Sequence, residues 1–265
     1  MKIIYSWILP IKNEEQVLPK LIKDLKRAMR GRSYEIIAVD DASDDNSYES
    51  LLSAEVGHDF FPHLPNSLHS SAIRRTRGAQ GGGRAQKVWP SRRLLVIRLS
   101  SPQGKWAALR EGIKVAKGEI IITSDSDWQD DPKEVKELLA KLKSHDLVSG
   151  WRKVRHDPFL KILISRGGNY LVSILYKKDF KDLNSPFKVY RRNVVESIPK
   201  DGSLLRYSML FAHKMGYKTI EVPVTHRPRI YGKSKFGVIK YLRIIYDILL
   251  IFLLFSGSGR LTRGK

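Results

Sequence analysis

Short apolar runs alternate with amphipathic segments along the first two thirds of the chain, and this alternation is the feature that most constrains the fold. Runs of strand length lie at 3–9, 34–39, 94–99 and 119–123, and the segments between them place apolar residues at helical spacing. Strands and helices that alternate in this way are typical of α/β domains. The sequence therefore predicts a mostly parallel central sheet with helices on both faces.

Aspartate clusters follow two of these predicted strands, as VDDASDDNS at 39–47 and TSDSDWQDDP at 123–132. Ligands of open parallel sheets bind beyond the carboxyl ends of the strands. Asp125 and Asp127 could chelate one hard cation together with a diphosphate, because Mg²⁺ takes one or two carboxylates plus phosphate oxygens and water. Gln129 could add a neutral oxygen. An acidic surface turn and a purely structural helix cap are the alternatives for the two clusters.

The loop after the first predicted strand should line the same crevice. It contains Pro10, Asn13, Glu14 and Glu15. Asn13 is also positioned to cap the helix that follows.

Residues 56–93 interrupt the alternation, with GAQGGG, RRTR and scattered aromatic residues but no period. This composition predicts a flexible insertion. Its arginines leave a nucleic-acid-binding arm as an alternative. The chain as a whole has 48 basic and 27 acidic residues, a formal charge of +21, and therefore favours anionic partners. It contains no cysteine, which excludes disulfides and thiolate chemistry.

The last third contains a basic segment, HRPRIYGKSKFG at 226–237. Its cations and hydroxyl could form a cradle for a phosphate, the alternative being a solvated basic loop. The groups concerned are Arg227, Arg229, Lys233, Ser234 and Lys235.

An apolar segment at 238–255 follows, with Lys240, Arg243 and Asp247 on one helical stripe. The stretch that is apolar on all sides is too short to cross a bilayer, so the pattern favours a helix lying in the membrane interface. A core helix of a soluble domain is the alternative. The N-terminus does not resemble a signal peptide.

In order along the chain, ILPIKNEEQVLPKLI, VDDASDDNS and GKWAALREGIKVAKGEIIITSDSDWQDDP resemble the signatures of family-two glycosyltransferases of the GT-A fold. With DLNSPFKVYRR and HRPRIYGKSKFG, the pattern is similar to the polyprenyl-phosphate glycosyltransferases, such as dolichyl-phosphate mannose synthases and dolichyl- or undecaprenyl-phosphate glucosyltransferases. The resemblance spans the chain except 56–93 and the last ten residues. Lys12 departs from the pattern, as do Pro102 and Gln103 before Gly104.

The resemblance implies a role for each matching residue. The nucleotide sugar would be bound by Pro10, Asn13, Glu14, Asp41, Lys105 and Asp125. A Mg²⁺ or Mn²⁺ ion would be bound by Asp125, Asp127 and Gln129. The acceptor phosphate would be bound by Arg229, Ser234 and Lys235, and the residues expected to act in catalysis are Asp127, Arg229 and Lys235.

The expected activity is transfer of a hexose, glucose or mannose, with inversion from UDP-glucose or GDP-mannose to a polyprenyl phosphate at the cytoplasmic face of a membrane. Residues 1–236 would form the catalytic domain and 237–265 the membrane-contacting segment. The related glucosyltransferases continue into transmembrane helices, so this chain is expected to be a shortened member or to act with a membrane-protein partner. The enzyme alternative is transfer to a glycan hydroxyl. A basic nucleic-acid-binding protein is the alternative outside enzymes, and no nucleic acid is expected as partner.

Overall fold

The strands form a single mixed sheet in the computed structural model, which describes residues 2–53, 85–154, 159–199 and 204–228. In chain order these strands are β1 (Tyr5–Ile11), β2 (Tyr34–Asp40), β3 (Gln86–Ser91), β4 (Leu94–Arg98), β5 (Ile120–Thr123), β6 (Leu147–Arg152), β7 (Lys188–Arg191) and β8 (Thr219–Val224). Their spatial order is β3-β4-β2-β1-β5-β7-β6-β8.

Six of these eight strands run in one direction. Parallel pairing joins β4 to β2, β2 to β1, β1 to β5 and β6 to β8. Only β3 and β7 run against their neighbours in this part of the chain. The mostly parallel sheet predicted from the alternating sequence is therefore confirmed.

Helices cover both faces of the sheet. They are α1 (Leu18–Ala28), α2 (Ser47–Ser53), α3 (Lys105–Val115), α4 (Val135–Leu142), α5 (Phe159–Tyr176), α6 (Arg192–Ser197) and α7 (Ser208–Lys214). Two short 3-10 turns, Pro132–Glu134 and Leu204–Tyr207, precede α4 and α7.

The core consists of two apolar layers that the alternation within the strands separates. In β1, Trp7 and Leu9 pack with α1, α2 and α4, whereas Ile8 between them packs with α3, α5, α6 and α7. Successive side chains of a strand point to opposite faces, and both faces here are covered. This burial explains why the predicted strands contain continuous apolar runs.

One prediction for the 56–93 segment is wrong. Gln86–Ser91 forms the edge strand β3, paired antiparallel with β4 on one side only. An edge strand does not need an apolar run, and Trp89 is 46% exposed while Pro90 lacks the amide that a central strand would use. The rest of the predicted insertion up to residue 84 lies outside the described residues.

The prediction that Asn13 caps α1 is also wrong. The helix begins at Leu18, and its N-cap residue, Val17, makes no side-chain cap bond. Pro19 in the first turn of α1 requires no amide partner, which eases the start of the helix.

The predicted membrane-contacting segment, 237–265, lies outside the described residues. Among the helices that the structure describes, none combines the length and the apolar character needed to cross a bilayer.

Candidate active site

An open cleft lies where β1, β2 and β5 end. Ile11 pairs with Asp40 of β2 and Ile8 with Thr123 of β5, so the loops that follow β2 and β5 flank the end of β1. The cleft is lined by Pro10, Ile11, Lys12, Glu14, Asp41, Lys105, Asp125, Ser126 and Asp127. The structure therefore brings together most of the residues that the sequence predicts to bind a nucleotide sugar.

Asp41 fixes the start of α3. Its carboxylate accepts hydrogen bonds from the backbone amides of Gln103 at 2.6 Å and Gly104 at 2.8 Å. Gly104 has a φ of 89°, a backbone conformation that favours glycine. Asp41 is 5% exposed and still contributes to the cleft wall. These two hydrogen bonds hold the positive N-terminal end of α3, and with it Lys105, against the cleft.

Asn13 joins two loops. Its side-chain oxygen accepts a hydrogen bond from the backbone amide of Asp44 at 2.9 Å, and its backbone amide donates to the Ser43 hydroxyl at 3.0 Å. Its φ of 57° suits a tight turn. Asn13 is not among the residues that line the cleft in the described part of the chain. The geometry assigns it to holding the loops together, and nucleotide contact by Asn13 stays a prediction.

Two serines that alternate with the aspartates, Ser124 and Ser126, anchor the loop after β5. The Trp7 indole donates to the Ser124 hydroxyl at 2.9 Å, and the Ser126 hydroxyl donates to the Pro10 carbonyl at 2.8 Å. Both serines are buried. Because they are tied to β1, Asp125 and Asp127 on either side of Ser126 face the cleft.

Lys105 and Asp125 form an ion pair across the cleft. Asp127 is 8% exposed, and one of its oxygens accepts the amide of Gln129 at 3.2 Å. The side-chain nitrogen of Gln129 donates to the Arg227 carbonyl at 3.0 Å, so its amide oxygen is the atom that remains for a cation.

Asp130 is a buried carboxyl group that the sequence reasoning missed. It is 5% exposed, and neither of its oxygens has a hydrogen-bond partner among the described residues. Its pKa is raised to about 8, chiefly by burial and then by the negative charges of Asp125 and Asp127, against the lowering effect of Arg152 and Lys105. The adjacent aspartates in DSDWQDDP were the available signal, but nothing in the sequence shows which of them is buried.

This arrangement fits a divalent cation whose coordination is completed by a ligand. Among the described residues, no three carboxylate or imidazole side chains converge to form a full protein ligand set. Two carboxylates and an amide oxygen are sufficient for Mg²⁺ or Mn²⁺ when phosphate oxygens and water supply the remainder. The negative charges of Asp125 and Asp127, which also raise the pKa of Asp130, would be offset by a bound cation.

A second, narrow pocket adjoins the ion pair between Lys105 and Asp125. It is lined by Lys105, Trp106, Leu109, Thr123, Ser124, Asp125, Ser185, Pro186, Lys188, Tyr190 and Leu205. Lys188 at its base is buried and donates to the carbonyls of Ser185 at 2.6 Å, Leu183 at 3.1 Å and Arg206 at 3.4 Å. Sequence reasoning missed this lysine because its partners are backbone atoms.

The predicted acceptor residues Arg229, Ser234 and Lys235 lie outside the described residues. Arg227, which the sequence places in the same phosphate cradle, is described. Its guanidinium pairs with Asp131 at 2.5 Å and lies over the Trp128 ring. The structure therefore places Arg227 against the loop that follows β5 and carries Asp127 and Gln129.

The family model described as glycosyl transferase family 2 matches residues 6–72 and 84–198. The chain belongs to glycosyl transferase family 2. The matched residues include β2, β5, all of β1 except Tyr5, and both aspartate clusters. The resemblance predicted from the ordered sequence signatures is confirmed, and so is the α/β fold of the GT-A type.

Curated relatives of this family-2 chain include undecaprenyl-phosphate 4-deoxy-4-formamido-L-arabinose transferases. Those of Pectobacterium atrosepticum and Edwardsiella ictaluri are each 28% identical over 247 residues. The matches cover 92% of this chain and 66% of each relative. This chain thus spans slightly less than two thirds of the length of these relatives.

Solved structures with the same fold include glucosyl-3-phosphoglycerate synthase from Mycobacterium tuberculosis, in complex with Mn²⁺, UDP-glucose and phosphoglyceric acid. It has a TM-score of 0.63 at 16% identity and covers 97% of this chain and 80% of that one. A mannosyltransferase from Pyrobaculum calidifontis, in complex with GDP-mannose and Mn²⁺, has a TM-score of 0.57 at 17% identity. It covers 98% of this chain and 66% of its own.

Proposed function

We propose that this family-2 chain is an inverting glycosyltransferase that moves a sugar from a nucleoside diphosphate to a polyprenyl phosphate. The observation that supports this most directly is that Asp125, Asp127 and Lys105 meet in one cleft at the strand ends. The acceptor class is supported by the curated relatives, whose names specify undecaprenyl phosphate.

On the donor side, the leaving group is a nucleoside diphosphate that gains negative charge as the glycosidic bond breaks. Asp125 and Asp127 would hold a Mg²⁺ or Mn²⁺ ion, which stabilises that charge when it is bound. Lys105 would exchange Asp125 for a diphosphate oxygen, and the N-terminus of α3 adds a favourable dipole. Mn²⁺ accompanies a nucleotide sugar in both structural relatives described above, which supports this type of cofactor.

On the acceptor side, the chemistry of the cleft favours a phosphate. A hydroxyl group needs a general base, whereas a phosphate is already anionic at neutral pH and needs only to be held in line. The cleft carboxylates have other partners, since Asp41 accepts two amides and Asp125 pairs with Lys105. The basic segment that contains Arg229 and Lys235 follows directly in the chain and would bind the acceptor phosphate.

The transferred sugar is proposed as a hexose, glucose or mannose, on the sequence signatures alone. The curated relatives are named for 4-deoxy-4-formamido-L-arabinose, so this sugar belongs in the same test. Because a polyprenyl phosphate resides in a bilayer, the chain should associate peripherally with the membrane. Its access to cytoplasmic nucleotide sugars would place it on the cytoplasmic face.

The test uses the full chain with vesicles that contain undecaprenyl or dolichyl phosphate. Radiolabelled UDP-glucose, GDP-mannose and nucleotide-activated 4-formamido-arabinose are supplied with Mn²⁺ or Mg²⁺, and label is counted in the organic extract. We expect label in lipid with one donor and an inverted anomeric configuration by NMR.

Two results would contradict the proposal. Label that appears only on added glycans would establish the hydroxyl-acceptor alternative. Absence of transfer with every donor, together with salt-sensitive binding to single-stranded nucleic acid, would favour the nucleic-acid alternative that the charge of +21 leaves open. The Asp127→Ala variant serves as the matched inactive control.

A further inference from the structure

Arg227 is bound through its backbone to the loop that holds the proposed metal ligands. Its amide donates to the Gln129 carbonyl at 2.8 Å, and its carbonyl accepts from the Gln129 side chain at 3.0 Å. Its neighbour His226 forms an antiparallel bridge with Asp130. The segment that follows β8 is therefore paired with the loop after β5, almost one hundred residues away in sequence.

The side chain of Arg227 is committed to the same loop. One terminal nitrogen, Nη2, lies 2.5 Å from an Asp131 oxygen, and the guanidinium carbon lies 4.1 Å from the centre of the Trp128 ring. The other terminal nitrogen, Nη1, is buried. Arg227 thus contacts Trp128, Gln129 and Asp131, three of four successive residues.

Trp128 is the part of this loop that most needs support. Its φ is 60°, a left-handed conformation that is rare for a bulky side chain. Such strain persists only where the surroundings hold the backbone in place. Asp24 of α1 accepts the indole N–H at 3.0 Å, and the Lys20 ammonium lies 4.1 Å from the ring centre. Arg227 supplies the corresponding contact from the β8 side.

We infer that Arg227 is a positioning residue of the donor site, where it holds the strained Asp127–Gln129 loop in its metal-binding shape, rather than a ligand of the acceptor phosphate. The inference rests on the proposed function in that it takes Asp127 and Gln129 as metal ligands. Groups that orient metal ligands from behind typically contribute about 10–100-fold to metal affinity. Arg227 should therefore act on the binding of metal and donor before any acceptor is present.

The test compares Arg227→Gln with Arg229→Gln, which should affect only the acceptor, and with Arg191→Gln, which removes a comparable cation that pairs with Asp146 away from the cleft. Mn²⁺ binding is measured by electron paramagnetic resonance, alone and with UDP or GDP. The KM for polyprenyl phosphate is measured at saturating metal and donor. We expect Arg227→Gln to weaken Mn²⁺–nucleotide binding by about tenfold or more and to leave the acceptor KM within about twofold.

The two control variants should give different results from Arg227→Gln. Arg229→Gln should raise the acceptor KM without changing Mn²⁺ binding, and Arg191→Gln should change neither. If Arg227→Gln does not fold, as judged by circular dichroism, Asp131→Asn removes the same ion pair and should weaken Mn²⁺ binding to a similar extent. If Arg227→Gln folds, the double variant Arg227→Gln, Asp131→Asn should bind Mn²⁺ only slightly more weakly than either single variant, because both substitutions remove the same ion pair.

Two outcomes would overturn the inference. If Arg227→Gln and Asp131→Asn bind Mn²⁺ and nucleotide normally but have a raised KM for the acceptor, Arg227 is an acceptor ligand. The proposed function would then still stand. Failure of the unmodified chain to bind Mn²⁺ with either nucleotide would remove the metal site itself, and with it both proposals.

Discussion

The carboxylate of Asp41 accepts the backbone amide of Gly104 at 2.8 Å, which ties the end of β2 to the first turn of α3. Lys105, the next residue, enters the cleft and pairs with Asp125. The Asp41 carboxylate therefore helps to fix the position of the Lys105 side chain in the cleft. The resemblance assigns Asp41 to the nucleoside, and the structure adds a positioning role that precedes any ligand.

Replacing Asp41 by Ala should destabilise the fold and weaken donor binding together. Hydrogen bonds to a charged acceptor contribute roughly 1.5–3 kcal/mol each, and the variant removes the acceptor of two backbone amides, those of Gln103 and Gly104. Asp41→Asn, which keeps one acceptor oxygen, should lose less. Urea denaturation measures the free energy of unfolding, and calorimetry measures nucleotide affinity. An unfolding free energy of Asp41→Ala equal to that of the unmodified protein would show that these bonds contribute nothing.

Asp127→Ala should abolish transfer and Mn²⁺ binding while the fold is retained. The variant removes the carboxylate expected to bridge metal and diphosphate, and the hydrogen bond that this carboxylate accepts from the Gln129 amide lies within the same loop. Asp125→Asn should reduce the rate severely yet retain nucleotide binding, because Lys105 is then free to pair with a phosphate. Circular dichroism, electron paramagnetic resonance and the lipid-extraction assay provide the three readouts. Full activity of Asp127→Ala in the presence of a chelator would disprove the metal site.

The sequence predicted the parts of this site that depend on local pattern. Apolar runs located β1, β2, β4 and β5, and the strand-end rule then placed Asp41, Asp125 and Asp127 in one cleft. It failed where the decisive contact joins distant segments. The pairing of Gln129 with Arg227 and the burial of Asp130 depend on how the segment after β8 packs, which no local period encodes.

Two strands, β3 and β6, were missed for related reasons. The strand β3 pairs on one side only and alternates exposed with half-buried residues, so its sequence resembles a polar loop. The strand β6, Leu147–Arg152, contains serine and glycine, and Gly150 is there because Val224 of β8 approaches to within 3 Å of the position that a Cβ would occupy. Composition alone does not distinguish a glycine that close packing requires from a glycine in a turn.

Two helix glycines provide a matched test of packing. In α3, a Cβ on Gly112 would lie 2.4 Å from a methyl carbon of Ile8, whereas Gly167 in α5 has no atom within 4 Å of that position. Alanine is favoured over glycine in a helix by about 1 kcal/mol. Gly167→Ala should therefore raise the free energy of unfolding, and Gly112→Ala should lower it, because overpacking costs about 1–3 kcal/mol.

The measurement for this pair is urea denaturation of the two variants beside the unmodified chain. Gly112→Ala should also weaken nucleotide binding, since a shift of α3 away from β1 displaces Lys105. Stabilisation of both variants by the same amount would show that α3 can move away from Ile8 at no cost.

Lys188 should make the stability of the protein rise with pH above neutrality. Its pKa is lowered to about 7, chiefly by burial; Asp182 and Glu221 oppose this shift, and Lys105 and Arg152 add to it. In the unfolded chain the same ammonium titrates near 10.5. Between these two values the unfolded state binds more protons than the native state, so the free energy of unfolding increases with pH, and it does so by at most about 1.4 kcal/mol per pH unit.

Lys188→Met preserves the length of the side chain and removes the titrating group. Below pH 7 the unmodified protein bears the full cost of a buried charge, offset by the three carbonyls that accept from the ammonium. The variant loses those bonds, which hold the loop at Ser185 against the 3-10 turn at Arg206, and the narrow pocket beside Asp125 should lose its shape. Urea denaturation from pH 6.5 to pH 9 should therefore show a positive slope for the unmodified protein that the variant lacks. Parallel slopes would show that Lys188 stays charged throughout, and that the carbonyl cradle holds its proton against burial.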